Sequence, residues 1–139
     1  MGKILAVDFG TKRIGLAETD PLQIIASGLD TVENKDIFKY LDKYFKNEDV
    51  DEVVIGEPKR MDDTPSESEE SILKFIEKLR KVYPKLEIKR FDERFTSKMA
   101  FQTMIDSGIG KKARRNKALI DKISATIILQ SYLESKEGF

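Results

Sequence analysis

The sequence predicts an α/β protein built on a mixed five-stranded sheet with helices on both faces, and three observations carry that expectation. Two apolar runs, residues 4–7 and 14–17, are separated by a very tight turn containing Gly10, the pattern of an antiparallel pair. Later short apolar runs alternate with stretches whose apolar residues recur at helical spacing, and strand-helix-strand crossovers of that length imply parallel pairing. No stretch of the 139 residues has the composition of a linker, so one domain over residues 1–139, with one core, is expected.

The elements follow in order. Residues 3–9 are apolar on both faces and form a central strand; residues 12–19 return as its partner, and residues 23–31 make a third strand that completes an antiparallel meander. Ile37, Phe38, Leu41, Tyr44 and Phe45 fall at helical spacing within residues 34–47, with Asn34 as the cap. Val53, Val54 and Ile55 form a short strand closed by Gly56. Thr64, Pro65, Ser66 and Glu67 make a capping box with proline at the first helical position, opening a helix through Ile72, Phe75, Ile76 and Leu79. A strand over residues 86–91 is followed by a helix over residues 96–106. A basic loop, GIGKKARRNK, comes next, and a last helix over residues 118–133 is rich in apolar and small residues.

Composition narrows the chemistry. Cysteine and histidine are both absent, which excludes disulfides, thiolate and imidazole metal sites, and the Ser-His and Cys-His constellations. Any chemistry must rest on Asp, Glu, Lys and hydroxyls, and any metal must prefer oxygen ligands. Lys plus Arg and Asp plus Glu both number 25, so attraction to nucleic acid has to come from a local patch. No stretch is long and apolar enough to span a membrane, and the first residues lack a signal-peptide pattern, so a cytoplasmic location without membrane contact is expected.

Carboxylates stand in awkward places at four points of the chain. Asp8 ends the first strand, Glu57 ends a later one, and Asp92-Glu93 ends the last; in a parallel arrangement these ends share the edge where open α/β sheets place ligands. Asp121 shares a helical row with Ala118, Ala125 and Ile128, a face meant for burial, where an uncompensated carboxylate costs several kcal/mol. The small residues Ala118, Ser124 and Ala125 let this helix approach the sheet and bring Asp121 beside Asp8. Taken singly, each acid has a bland explanation: a turn, an ion pair with Arg90 or Arg94, or a favourable helix dipole. Together they form a site for one or two Mg²⁺ or Mn²⁺ ions, and phosphate-ester hydrolysis is the natural chemistry. The turn at Phe9, Gly10 and Thr11, followed by Lys12 and Arg13, supports substrate phosphates; Arg94 and the basic loop residues Lys111, Lys112, Arg114, Arg115 and Lys117 are further candidates for backbone contacts.

The blocks VDFGTKRIGLAETD, GEPKRMDDT, DERFTS and LIDKISATIILQ resemble, in order and across nearly the whole chain, the signatures of the YqgF (RuvX) family. The resemblance implies a ribonuclease H-like fold similar to RuvC-type Holliday junction resolvases. It places the family's three acidic catalytic and metal-binding residues on Asp8, Glu93 and Asp121, the positions already singled out, with Glu57 as an extra candidate ligand. It implies a metal-dependent endonuclease acting on nucleic acid, either trimming the 5′ end of precursor 16S rRNA or resolving four-way DNA. A non-catalytic RNA- or ribosome-binding module is the alternative from another class. Two departures from the family pattern stand out: Glu57 occupies a usually apolar position, and the common Ser-x-Ala-Ala after the last aspartate is Lys122-Ile123-Ser124-Ala125 here. Asp-x-Gly-Thr also resembles the phosphate loop of the actin and sugar-kinase superfamily, but those proteins close two such domains around a nucleotide. A resolvase must cut two strands symmetrically and so dimerise firmly, and no strong dimerisation signature is visible. The expectation is therefore a monomer or weak homodimer that processes ribosomal RNA precursor.

Overall fold

The computed structural model describes residues 2–58, 68–95 and 117–136. Five strands, β1 (Lys3–Asp8), β2 (Arg13–Thr19), β3 (Ala26–Glu33), β4 (Val50–Glu57) and β5 (Glu87–Asp92), form one sheet in the order β3-β2-β1-β4-β5. The β1-β2 and β2-β3 pairs are antiparallel, and the β1-β4 and β4-β5 pairs are parallel. This is the expected mixed sheet, with β1 in its centre. The described helices are α1 (Ile37–Asn47), α2 (Glu69–Val82) and α3 (Lys117–Lys136).

Alternation along the strands sorts the core into two layers. On one face Leu5, Val7, Leu16, Val53 and Ile55 pack with Leu41, Phe75 and Leu79 of α1 and α2. On the other, Ile4, Ala6, Ala17 and Val54 meet Ala125, Ile128, Leu129 and Tyr132 of α3. Helices thus cover both faces, as β4 and β5, parallel and central to the crossovers, require.

The element boundaries differ from the sequence reading in places with physical causes. The third strand starts at Ala26 rather than 23, because the Asp20 carboxylate accepts hydrogen bonds from the backbone N–H groups of Leu22, Ile24 and Ile25 and curls that segment into a turn. Asn34 does not cap a helix; it opens a 3₁₀ turn (Asn34–Asp36) before α1, and its side-chain amide donates to the Gly10 carbonyl at 2.8 Å. The short apolar run 53–55 is the middle of a longer strand, paired on both sides. The capping box at 64–67, the helix at 96–106 and the basic loop up to residue 116 lie outside the described residues; Lys117 belongs to α3.

Candidate active site

Asp8 occupies the last position of β1, and the alternation that turns Ile4 and Ala6 toward α3 turns Asp8 the same way. Its register partner on β2 is Gly15. A Cβ at Gly15 would overlap the carbonyl oxygen of Asp121 and lie 3.2 Å from its Cα, so the first turns of α3 rest directly on the bare backbone of β2. That contact is what sets Asp121, far away in sequence, beside Asp8.

Glu93 arrives from the other side. It opens the 3₁₀ turn (Glu93–Phe95) that follows β5, and it lies over Gly56 of β4: a Cβ there would stand 3.1 Å from the Glu93 carboxyl carbon and 2.9 Å from Cδ1 of Ile128. Two glycines, one on each side of β1, therefore make the room in which three acids gather at the carboxyl end of the sheet.

The electrostatics follow from that placement. Burial pushes the Asp8 carboxyl up to about 7, and the charges of Glu93 and Asp121 add to the shift. Burial likewise raises Glu93; Arg90 opposes the rise while Asp92 and Glu69 reinforce it. The negative charge at Asp8 is thus under-compensated by the protein itself.

The cations nearby are mostly committed to other tasks. Arg13, expected to touch substrate phosphate, donates from Nε to Oδ2 of Asp121 at 2.9 Å. Arg94 forks onto the Asp92 carboxylate, with contacts of 3.1, 3.0 and 2.6 Å. Arg90 donates to the carbonyls of Ile55 and Gly56 and pairs with Glu69 at 2.9 Å and Glu57 at 3.8 Å. Glu57 sits opposite Asp92 in the strand register and beside Arg90. Lys12 is exposed on the loop between β1 and β2, whose carbonyls at Gly10 and Lys12 are tethered by the side-chain and backbone N–H groups of Asn34. Lys111, Lys112, Arg114 and Arg115 lie outside the described residues.

The donor set is all carboxylate oxygen, which suits a hard divalent cation. Among the described residues, no three acidic side chains stand close enough together to enclose an ion as they are placed, and Arg13 holds Asp121. The charge surplus at Asp8 is nonetheless what a cation would relieve, so donor chemistry and electrostatics fit a metal.

The sequence reading named Arg90 only as a candidate ion-pair partner of Glu93, and did not single out Glu69 or Gly15. Gly15 carried a usable signal, because a glycine inside an apolar strand marks a close backbone approach; the Arg90 cluster carried none, since its members come from three separate elements. The small residues credited with bringing α3 close were those of the helix, whereas the contact at Asp121 depends on a glycine of the sheet.

Comparisons with known proteins bear on this edge of the sheet. A protein of Christiangramia forsetii named "Putative pre-16S rRNA nuclease" is 59% identical over 133 residues, covering 96% of this chain and 98% of its own length. One of the same name from Flavobacterium psychrophilum is 57% identical over 136 residues, covering 98% of this chain and 99% of its own. The crystal structure of the fowlpox virus Holliday junction resolvase superposes with a TM-score of 0.54 at 16% identity, over 96% of this chain and 99% of that one, which shows a shared ribonuclease H-like fold. A family model described as "RuvX: Holliday junction resolvase" matches residues 2–135, and with relatives this similar along the whole length, the chain belongs to the RuvX family.

Proposed function

We propose that this chain is a metal-dependent nuclease that hydrolyses phosphodiester bonds of nucleic acid, with Asp8, Glu93 and Asp121 as its divalent-cation ligands and the 5′ end of precursor 16S rRNA as its substrate. The observation that carries the reading is Asp8: a carboxyl at the end of a central strand, raised to about 7 by burial and by two other acids that arrive from distant parts of the chain. A fold does not need such a cluster, and its cost is tolerated where charge is to be recruited.

Bound Mg²⁺ or Mn²⁺ would supply water activation and charge neutralisation at the phosphate. The chain's own residues do the rest. Asp8 and Glu93 present carboxylate oxygens at the sheet edge, Asp121 becomes available when its contact with Arg13 opens, and the released guanidinium is then placed to meet a phosphate oxygen. Arg90 holds the β4 carbonyls and lies near Glu93, keeping that carboxyl from rising further. Glu57 serves Arg90 rather than acting as a ligand. The precursor-rRNA substrate rests on the names carried by the relatives at 59% and 57% identity.

The test is cleavage of two labelled substrates in Mg²⁺ and in Mn²⁺: a precursor RNA spanning the small-subunit 5′ end, and a four-way DNA junction, each with wild type and Asp8→Asn. RNA cleavage that disappears in the variant is expected. Paired symmetric nicks in the junction would instead favour a resolvase, the reading that the family description supports. Equal failure of both proteins on both substrates would leave a binding module.

A further inference from the structure

The loop that carries Asp8 out of β1 also forms the wall of a second feature, on the opposite side of the sheet edge. A pocket of about 530 Å³ opens there between the start of α1 and the outer face of α2, with Phe9 and Thr11 at its boundary with the loop. This is within the range of about 300–1,000 Å³ typical of small-molecule sites. Its floor is aromatic: Phe75 packs against Phe9 at 5.2 Å and against Phe38 at 5.5 Å between ring centroids. Phe75 is buried, but Phe9 and Phe38 are only partly covered. Its rim is cationic, formed by Lys35, Lys74 and Lys78, and among the described residues no acidic side chain lines it.

Lys74 and Lys78 stand one helical turn apart on α2, a like-charge spacing that disfavours the helix itself. Lys35 pairs with Glu33 at 3.3 Å and Lys74 with Glu70 at 3.6 Å, but all four side chains are largely exposed, so these pairs are weak and screened. The Lys78 ammonium lies 4.3 Å from the centroid of the Phe38 ring and makes no ion pair among the described residues. An aromatic face at the mouth of a pocket, ringed by exposed cations, combines a stacking platform with phosphate contacts.

We infer that this pocket binds single-stranded nucleic acid, seating an unpaired base on Phe9 and Phe38 with its flanking phosphates on Lys35, Lys74 and Lys78. The inference rests on the nuclease reading for the identity of the strand: the substrate chain leaves the acids, crosses the loop at Gly10–Lys12, where Lys12 is exposed, and enters the pocket. Selection of unpaired RNA next to the cleaved bond follows, because a base inside a duplex cannot reach the aromatic floor.

The test is equilibrium binding, in EDTA, of a fluorescein-labelled single-stranded RNA 12-mer, so that cleavage cannot contribute. The exposed pair Lys74→Ala/Lys78→Ala is expected to weaken binding roughly tenfold or more, and to flatten the slope of log K against log salt by about 1.4, as for two fewer phosphates on a single strand. Phe38→Leu keeps an apolar side chain in the core and is expected to weaken binding about fivefold with the slope unchanged. The exposed pair Lys43→Ala/Lys46→Ala on the last turns of α1 serves as a charge-matched control and is expected to bind as wild type. Equal losses in the two lysine pairs, unchanged binding in the pocket pair, or equally effective competition by a duplex of the same sequence would overturn the inference. The nuclease reading is judged separately. Asp8-dependent cleavage with unaffected binding in the pocket variants would sink the pocket alone, and binding lost in those variants by a protein that cleaves nothing would sink the nuclease alone.

Discussion

The two faces of the sheet are built to different rules. Toward α1 and α2 the strands present Leu5, Val7, Leu16, Val53 and Ile55, large side chains that interlock with Ile37, Leu41, Phe75 and Leu79. Toward α3 they present Ala6 and Ala17 beside Ile4 and Val54, with Gly15 and Gly56 where the strands approach the acids. Large side chains hold a helix off a sheet and contribute burial, roughly 1.5–3 kcal/mol for each fully buried Leu, Ile or Phe. Small ones give up that burial and let backbones touch. The first face therefore maintains the fold, and the second maintains a distance, that between Asp121 and Asp8.

The sharpest way to break this division is Gly15→Ala. The added methyl group meets the backbone of Asp121, which cannot rotate away as a side chain would, so α3 must shift outward. A displacement of about 1 Å at a catalytic group costs on the order of 100-fold in rate. Cleavage of the RNA substrate is expected to fall by at least that factor while far-ultraviolet circular dichroism stays that of the folded protein. Retained activity would mean that the glycine does not set the position of Asp121.

The complementary change is Leu79→Ala on the other face. Leu79 is fully buried between α2 and the sheet, and its truncation leaves a cavity, with an expected loss of about 4 kcal/mol in urea unfolding. Below the unfolding transition, cleavage per folded molecule is expected to stay within about twofold of wild type, because no acid moves. The two variants thus exchange signatures, rate in one and stability in the other.

Asp8→Asn sharpens the comparison by showing what the small-residue face costs. The folded Asp8 carboxyl titrates at about 7 against 3.8 for the free group, a raised value. A raised carboxyl is protonated in both states below about pH 4, where it carries no penalty, and its penalty grows as pH rises to 7 and is constant above. In EDTA the variant is therefore expected to be more stable than wild type at pH 8, by on the order of 3 kcal/mol, with the gain gone at pH 4. Saturating Mg²⁺ should stabilise wild type and not the variant. A gain independent of pH would show that the charge is not the source.

These differences explain what could be read in advance. The central first strand, the antiparallel and parallel pairings and the two-sided helical cover follow from local apolar periodicity and crossover length, which the sequence displays openly. Asp8, Glu93 and Asp121 were legible because a carboxylate at the end of a buried run, or on an apolar helix face, conflicts with its own surroundings. The partners of the cations were less so: Arg13 reads as a phosphate contact in sequence and is paired with Asp121 by side-chain reach across elements, while Arg94, read as a phosphate contact or a partner for Glu93, forks onto Asp92 instead. The start of β3 was misplaced for a related reason, as the turn before it is held by one aspartate accepting from three backbone N–H groups ahead of it.

The smallest expected effect compares two matching tyrosines, one on each face. Tyr44 of α1 donates its hydroxyl to Glu18 at 2.8 Å, and Tyr132 of α3 donates to Glu52 at 2.7 Å. Each glutamate also has a lysine, Lys3 at 3.0 Å from Glu18 and Lys136 at 3.3 Å from Glu52. Removing either hydroxyl leaves a carboxylate one partner short, but Glu52 is buried whereas Glu18 is only partly so and can recruit water. Tyr132→Phe is therefore expected to cost about 1–2 kcal/mol and Tyr44→Phe less than about 1 kcal/mol. Thermal unfolding of the two variants in parallel gives the difference directly. Because Tyr132 anchors the far end of the helix that carries Asp121, the larger loss should come with a small fall in cleavage rate that Tyr44→Phe does not share; equal rates would confine the distance-keeping role of α3 to its contact with Gly15.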